Sequence, residues 1–288
     1  MLSKILYYFI IKPISFMPFW VLYRLSDILY FVIYYLVGYR KKVVRTNLCN
    51  SFPAKNQQER RSIEKKFYRH FCDLIVESVK LFSISKKEIN KRFTIQNPEL
   101  INQYARNNQS VILVGGHYNN WEILAVGISQ QIELQAVGLY SKLKNDFFNR
   151  IMLQSRGKYG LRLVSTRETS SYFLNESHKN TVTIFGADQS PTHSKTVYWM
   201  DFLNQETAVA TGTERFAKLY NYPVIFGAIS KVKRGYYSFK MDLISDNPSV
   251  EPLEFITQKH TSMLEKQIKD LPEYWLWTHK RWKRKKNS

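Results

Sequence analysis

Apolar residues change their spacing several times along this chain, and each change predicts a different kind of element. Residues 1–39 are almost wholly apolar and aromatic, broken by Lys4, Lys12, Arg24 and Asp27. No uncharged run there reaches the roughly 18–20 residues of a clean spanning helix, and Pro13 and Pro18 interrupt a continuous one. Two readings stand: a single span with its basic side chains snorkelling, or interfacial helices lying in one leaflet. A signal peptide is not expected, because a compact basic start and a small-residue cleavage site are both missing. From Gln57 to Phe82, residues Ile63, Phe67, Phe71, Leu74, Ile75, Val79 and Phe82 recur at helical spacing among charged ones. This predicts an amphipathic packing helix, in which His70 and Glu77 read as ordinary helix residues.

Asn97-Pro98 breaks the chain before a different regime. Between Gln109 and Ile244, strand-like runs (Val111–Val114, Leu134–Leu139, Leu161–Val164, Thr181–Phe185, Val224–Ile229 and Tyr236–Ile244) alternate with helix-like ones (Trp121–Gln130, Asp146–Tyr159, Arg167–Asn175 and Thr211–Tyr220). Such alternation predicts an α/β fold: a central, mostly parallel or mixed sheet flanked by helices, with an N-terminal membrane-associated helical segment. Glu251–Lys269 reads as a last helix. The expected organisation is a membrane anchor or interfacial helices over 1–39, a helical basic lead-in over 40–96, and an α/β domain over 97–288 that closes on a basic, aromatic tail.

Charge sharpens this picture. Among 288 residues, Lys and Arg number 43 against 23 Asp and Glu, a formal charge of +20, and aromatics make up 15%. That excess attracts acidic partners. Abundant apolar and aromatic residues beside it favour an anionic membrane surface, and no nucleic-acid-binding motif is present. Arg40, Lys41, Lys42 and Arg45 directly after the apolar segment belong on the cytoplasmic side of a membrane. The two cysteines, Cys49 and Cys72, offer no disulfide framework.

The candidate chemistry sits where the first strand-like run of the α/β region ends, at Gly115-Gly116-His117-Tyr118-Asn119-Asn120-Trp121-Glu122. In a continuous helix His117 and Glu122 would point about 140° apart. They form a pair only if His117 lies in a turn, for which the glycines supply backbone freedom, and Glu122 lies on the first helical turn. A carboxylate-held imidazole is a general base near neutral pH; the plainer alternative is a loop histidine beside a glutamate that favours the helix dipole. A metal site from His117, Glu122, Asp188 and His193 lacks the tight spacing of zinc ligands. No G-x-S-x-G elbow, P-loop, dinucleotide fingerprint or H-E-x-x-H occurs.

Gly116 to Glu122 resembles the His-x4-Glu block of the lipid A biosynthesis acyltransferases, a branch of the lysophospholipid acyltransferase-like His-x4-acid enzymes. Arg45-Thr46-Asn47-Leu48 with Ser51-Phe52-Pro53, Arg156 in Ser155-Arg156-Gly157, Ala187-Asp188-Gln189, Ala210-Thr211-Gly212 and the closing Tyr274 to Lys283 resemble further family blocks in the same order. The resemblance implies an acyltransferase (EC 2.3.1) moving a fatty acyl chain from acyl carrier protein, or acyl-CoA, to a hydroxyl of a lipid A precursor or other glycolipid. It implies no cofactor and no metal. It places the protein at the inner membrane of a Gram-negative bacterium, with its catalytic domain on the cytoplasmic face. An O-acyltransferase of another lysolipid or aminolipid, or a non-catalytic anionic-lipid-binding protein, are the rival readings.

Within that resemblance His117 is the base, Glu122 orients its imidazole, and Arg156 binds an oxyanion or a lipid phosphate. Asp188 and Gln189 hold the acceptor sugar or position Arg156. Thr211 and Gly212 bind phosphate at a helix start, where an ordinary cap is the alternative. The chain departs from the family pattern at Leu139 to Lys144, where many members have Tyr-Arg-Pro, and at Tyr118-Asn119, where Phe-Gly is common.

Overall fold

The computed structural model describes residues 2–176, 180–191 and 196–286. The apolar N-terminus forms α1 (Leu2–Ile5), a π-helical turn over Leu6–Ile11, and α2 (Lys12–Phe16). A kink at Pro18 separates these from α3 (Phe19–Phe31), which continues as a π-helical turn through Val37 and ends at Gly38 with φ 65°. The span Phe19–Val37 is, by length and composition, the one described helix able to cross a membrane. Next come α4 (Lys41–Ser51) and the long α5 (Gln57–Lys80), whose start is fixed by a capping box between Asn56 and Glu59. α6 (Lys86–Arg92) and α7 (Glu99–Arg106) flank the short strand β1 (Phe93–Ile95).

The expected alternation follows. β2 (Val111–Gly115) leads to α8 (Trp121–Gly127), β3 (Gln135–Tyr140) to α9 (Asp146–Gly157), and β4 (Arg162–Ser165) to α10 (Thr169–Glu176). β5 (Thr181–Gly186) precedes the hairpin β6 (Val197–Phe202) and β7 (Gln205–Ala210). α11 (Gly212–Tyr220), β8 (Val224–Lys233), β9 (Tyr236–Ser245) and α12 (Phe255–Asp270) complete the series. Seven strands form one mixed sheet in the order β1-β9-β8-β2-β5-β3-β4. All neighbours are parallel except β8 and β9.

β2 shows why its run is uninterruptedly apolar. Ile112 and Val114 enter one hydrophobic core, and Val111 and Leu113 enter the other on the opposite face; a strand covered on both faces needs no polar alternation.

Three features differ from the sequence-based expectation, the first being β1, which lies inside the expected helical lead-in over 40–96 yet pairs with β9 at the edge of the sheet. The β6–β7 hairpin has no signal in the sequence, because its strands mix polar and apolar residues; its turn, Leu203-Asn204, holds both residues at positive φ (52° and 59°), as the twist of tight hairpins requires. The closing aromatic and basic stretch is built into the body. Trp275 and Trp277 are buried in the core, and Thr278 and Arg281 are also buried. The Arg45-to-Leu48 block helps hold this stretch: Asn47 donates to the carbonyls of Trp277 (2.9 Å) and His279 (3.1 Å), and Leu48 is buried.

Candidate active site

Two parallel strands set the geometry. β2 and β5 pair in register so that Gly115 lies opposite Gly186, and each chain then runs two residues further, to His117 and to Asp188. Side by side at the carboxyl edge of the sheet, these residues pair: His117 Nδ1 lies 2.6 Å from Asp188 Oδ1, and the His117 backbone N–H donates to Oδ2 at 2.9 Å. Trp275 Nε1 donates to the same Oδ2 at 2.8 Å. Asp188 is buried, whereas a quarter of the His117 side chain stays exposed. Since Nδ1 faces a carboxylate, it carries the proton and Nε2 keeps its lone pair. Gln189 Nε2 sits 3.3 Å from that Nε2 on the open side.

The glycines serve space rather than conformation. Neither Gly115 nor Gly116 has a positive φ. A Cβ on Gly116 would lie 2.7 Å from Leu264, and one on Gly186 would lie 3.1 Å from the His117 ring. The left-handed residue of the turn is Asn119, with φ 54°. Asparagine tolerates that conformation better than most residues, which explains why it stands where the resembling sequences favour glycine.

Glu122 does sit on the first turn of α8, but it does not hold His117. It grips Arg156 instead, accepting from Nε at 2.8 Å and Nη2 at 2.5 Å. The expected pairings are thus exchanged: Asp188 takes the imidazole and Glu122 takes the arginine. The reason is geometric. Trp121 packs edge-on against the His117 ring at 5.1 Å, while α8 packs against α9 and so presents Glu122 to Arg156. The arginine is pinned in a planar, bidentate pair that does not use Nη1.

Electrostatics follow these contacts. Burial pushes the His117 pKa down, but the Asp188 carboxylate outweighs it, with Glu122 adding, so the net shift is upward from the usual 6.5. For Asp188, burial alone would raise the pKa; the interaction with His117 dominates, helped by the Trp275 N–H, and holds it at about 2. The result is an accessible imidazole nitrogen backed by a buried, ionised carboxylate, with a fixed guanidinium nearby. That arrangement can take a proton from a hydroxyl and stabilise a developing negative charge.

A second layer locks the turn. Asn120 caps α8 by accepting from the Ile123 N–H at 2.9 Å, and its Nδ2 donates to Glu77 at 2.7 Å. Glu77 is buried on α5, where it also accepts from Tyr23 (3.0 Å) and Tyr237 (2.7 Å). Asn119 donates to the Ile229 carbonyl at 2.9 Å. In the sequence Glu77 reads as an ordinary helix residue, because helical spacing gives no sign of three donors converging on one carboxylate. Behind Asp188, the Ser190 N–H donates to His279 Nε2 at 3.1 Å, and burial lowers the His279 pKa to about 4.

Thr211 and Gly212 open α11 just after β7. Thr211 makes no side-chain capping bond, and among the described residues no hydrogen bond or ion pair joins either residue to the His117 or Glu122 pairs. His193 lies outside the described residues. Among the described residues, no group of three or more His, Cys, Asp or Glu is placed to hold a metal ion.

The family model of the bacterial lipid A biosynthesis acyltransferases matches residues 1–284, essentially the whole chain. A comparison with curated proteins gives no match.

Proposed function

Because this chain belongs to the bacterial lipid A biosynthesis acyltransferase family, we propose that it transfers a fatty acyl group from the thioester of acyl carrier protein, or of coenzyme A, to a hydroxyl of a lipid A precursor. The observation that carries this reading is the His117–Asp188 pair, with its unprotonated, part-exposed Nε2 at the open edge of the sheet. In the proposed reaction Nε2 takes the proton of the acceptor hydroxyl as its oxygen attacks the thioester carbonyl. Asp188 holds the Nδ1 proton and stabilises the imidazolium that forms. Arg156, fixed by Glu122, faces the tetrahedral oxyanion. As the C–S bond breaks, the imidazolium returns its proton to the leaving thiolate, so no cofactor or metal is required.

Gln189 marks the approach of the hydroxyl, since it already occupies the hydrogen-bonding position at Nε2. A chain of charge +20 attracts both an acidic carrier protein and a phosphorylated glycolipid. Family membership makes this a membrane-associated protein; the proposal places it at the inner membrane with its site facing the cytoplasm. The test is mass spectrometry of lipids from cells with and without the gene, complemented by wild type or His117→Ala. Loss of one acyl chain from lipid A, restored by wild type alone, is the expected result. An unchanged lipid A beside an altered lysolipid or aminolipid would move the acceptor, and no lipid change at all would overturn the enzymatic reading.

A further inference from the structure

Residues 1–39 have the composition either to cross a bilayer or to lie on it, and their contacts distinguish the two. We infer that α3 and its π-helical continuation lie along an anionic lipid surface, with their outer face in one leaflet, and do not cross it. Through roughly 30 Å of hydrocarbon, whatever packs on a spanning helix must itself lie in the membrane. Here the inner face is bonded to the body from end to end. Near its start, Lys80 on α5 donates to the carbonyls of Ser15 (3.0 Å) and Met17 (2.9 Å). Midway, Tyr23 donates to Glu77 and Ser26 to Asp73 (2.8 Å), while Arg234 pairs with both Asp27 (2.7 Å) and Asp73. Beyond the far end, Tyr68 donates to the Tyr39 carbonyl (2.5 Å) and Arg40 to that of Thr278 (2.9 Å). Taking α3 across a bilayer would either draw the charged helix α5 into hydrocarbon or strip Tyr23, Ser26 and Asp27 of their partners.

The outer face is built for a surface. Trp20, Ile28, Phe31 and Tyr35 fall within about 80° of one another at helical spacing, and each is more than half exposed. Arg24 is exposed on the same face, where a leaflet's phosphates can meet it. Exposed Lys4, Lys12, Arg40 and Lys42 flank this apolar strip, so the complementary surface is anionic lipid. The helical turns before α3 pack on the body as well: Asn145 donates to Ser3 at 2.8 Å and Tyr7 packs edge-on against Phe147 at 5.7 Å. Both contacts are to the start of α9, the helix that presents Arg156.

The test reads position alone and is independent of the acyl-transfer proposal. Single cysteines replace Trp20, Ile28 and Tyr35 in turn in the full chain carrying Cys49→Ser, and each is labelled with a bimane fluorophore. Each protein is bound to phosphatidylglycerol–phosphatidylethanolamine vesicles with bromines at shallow or deep acyl positions, after circular dichroism confirms wild-type folding. The inference predicts stronger quenching by the shallow bromines at all three positions. Deep quenching at position 28 between shallow positions 20 and 35 would show a span and overturn it. Absence of quenching at all three, with cysteine cross-links between copies, would assign the face to a second copy of the chain and equally overturn it.

Discussion

At the scale of single residues, what matters is which carboxylate meets which cation. Asp188→Asn removes the main charge that raises the His117 pKa and leaves burial, with Arg156, opposed only by the smaller effect of Glu122, so the imidazole pKa should fall below 6.5. Turnover should drop by roughly 10³–10⁴, as when the carboxylate behind a catalytic histidine becomes an amide. Stability carries the opposite signature. His117 has a raised pKa, so its share of the ion-pair stabilisation is present at pH below the unfolded value and is lost as pH rises through the folded value. Asp188 has a depressed pKa, so its share is present above the unfolded carboxylate value and is lost as pH falls towards 2. The stability difference between wild type and Asp188→Asn, read from urea unfolding, should therefore peak between roughly pH 4 and 6.5. Activity should instead rise on the alkaline side of that window. Glu122→Gln should act through Arg156: it and Arg156→Lys should each cost roughly 10²-fold, and the double variant should cost little more than either, because both break one unit.

At the scale of elements, the runs rich in apolar residues predicted β2, β3, β4, β5, β8 and β9, because strands that enter a core need hydrophobic side chains, unbroken where both faces are covered as in β2 and largely alternating as in β9. Both His117 and Asp188 were legible as residues following strand ends. The shared pattern Gly115-x-His117 and Gly186-x-Asp188 was a signal that they sit level, but only the parallel register turns that pattern into contact. The partner of Glu122 was not legible, since it depends on how α8 packs on α9, thirty-odd residues further along the chain. Nor was Glu77, whose donors come from α3, the α8 cap and β9. Its role predicts that Asn120→Ala costs about 1 kcal/mol of stability through the lost cap. Glu77→Gln should lower kcat roughly tenfold by loosening the turn, with KM for the acyl donor nearly unchanged and the folded fraction by circular dichroism as in wild type; a folded fraction that falls in step with the apparent kcat would point to a general loss of fold instead.

At the scale of the whole molecule, the N-terminal helices, the sheet and the closing segment form one body. Its last stretch reads in sequence as a basic, aromatic tail that would recruit anionic partners or merely aid solubility. Arg281, however, donates to the Ala208 carbonyl at 2.7 Å and Trp282 to Thr207 at 2.7 Å, which ties the stretch to the β6–β7 hairpin. Composition could not separate a basic tail from a buried arginine, because burial depends on the hairpin that receives it. Truncation after Trp277 should therefore lower unfolding stability by more than about 2 kcal/mol in urea titration, even without lipid. A purely recruiting tail would leave stability untouched and weaken only vesicle binding.

The central claim, that His117 backed by Asp188 removes the proton from the acceptor hydroxyl, is tested most directly by the pH dependence of kcat/KM for acyl transfer from acyl carrier protein by wild type and Asp188→Asn. The account predicts a wild-type acidic limb with an apparent pKa above 6.5, moving below 6.5 in the variant as the plateau collapses. Superimposable profiles, or a limb that moves only with Glu122→Gln, would contradict it.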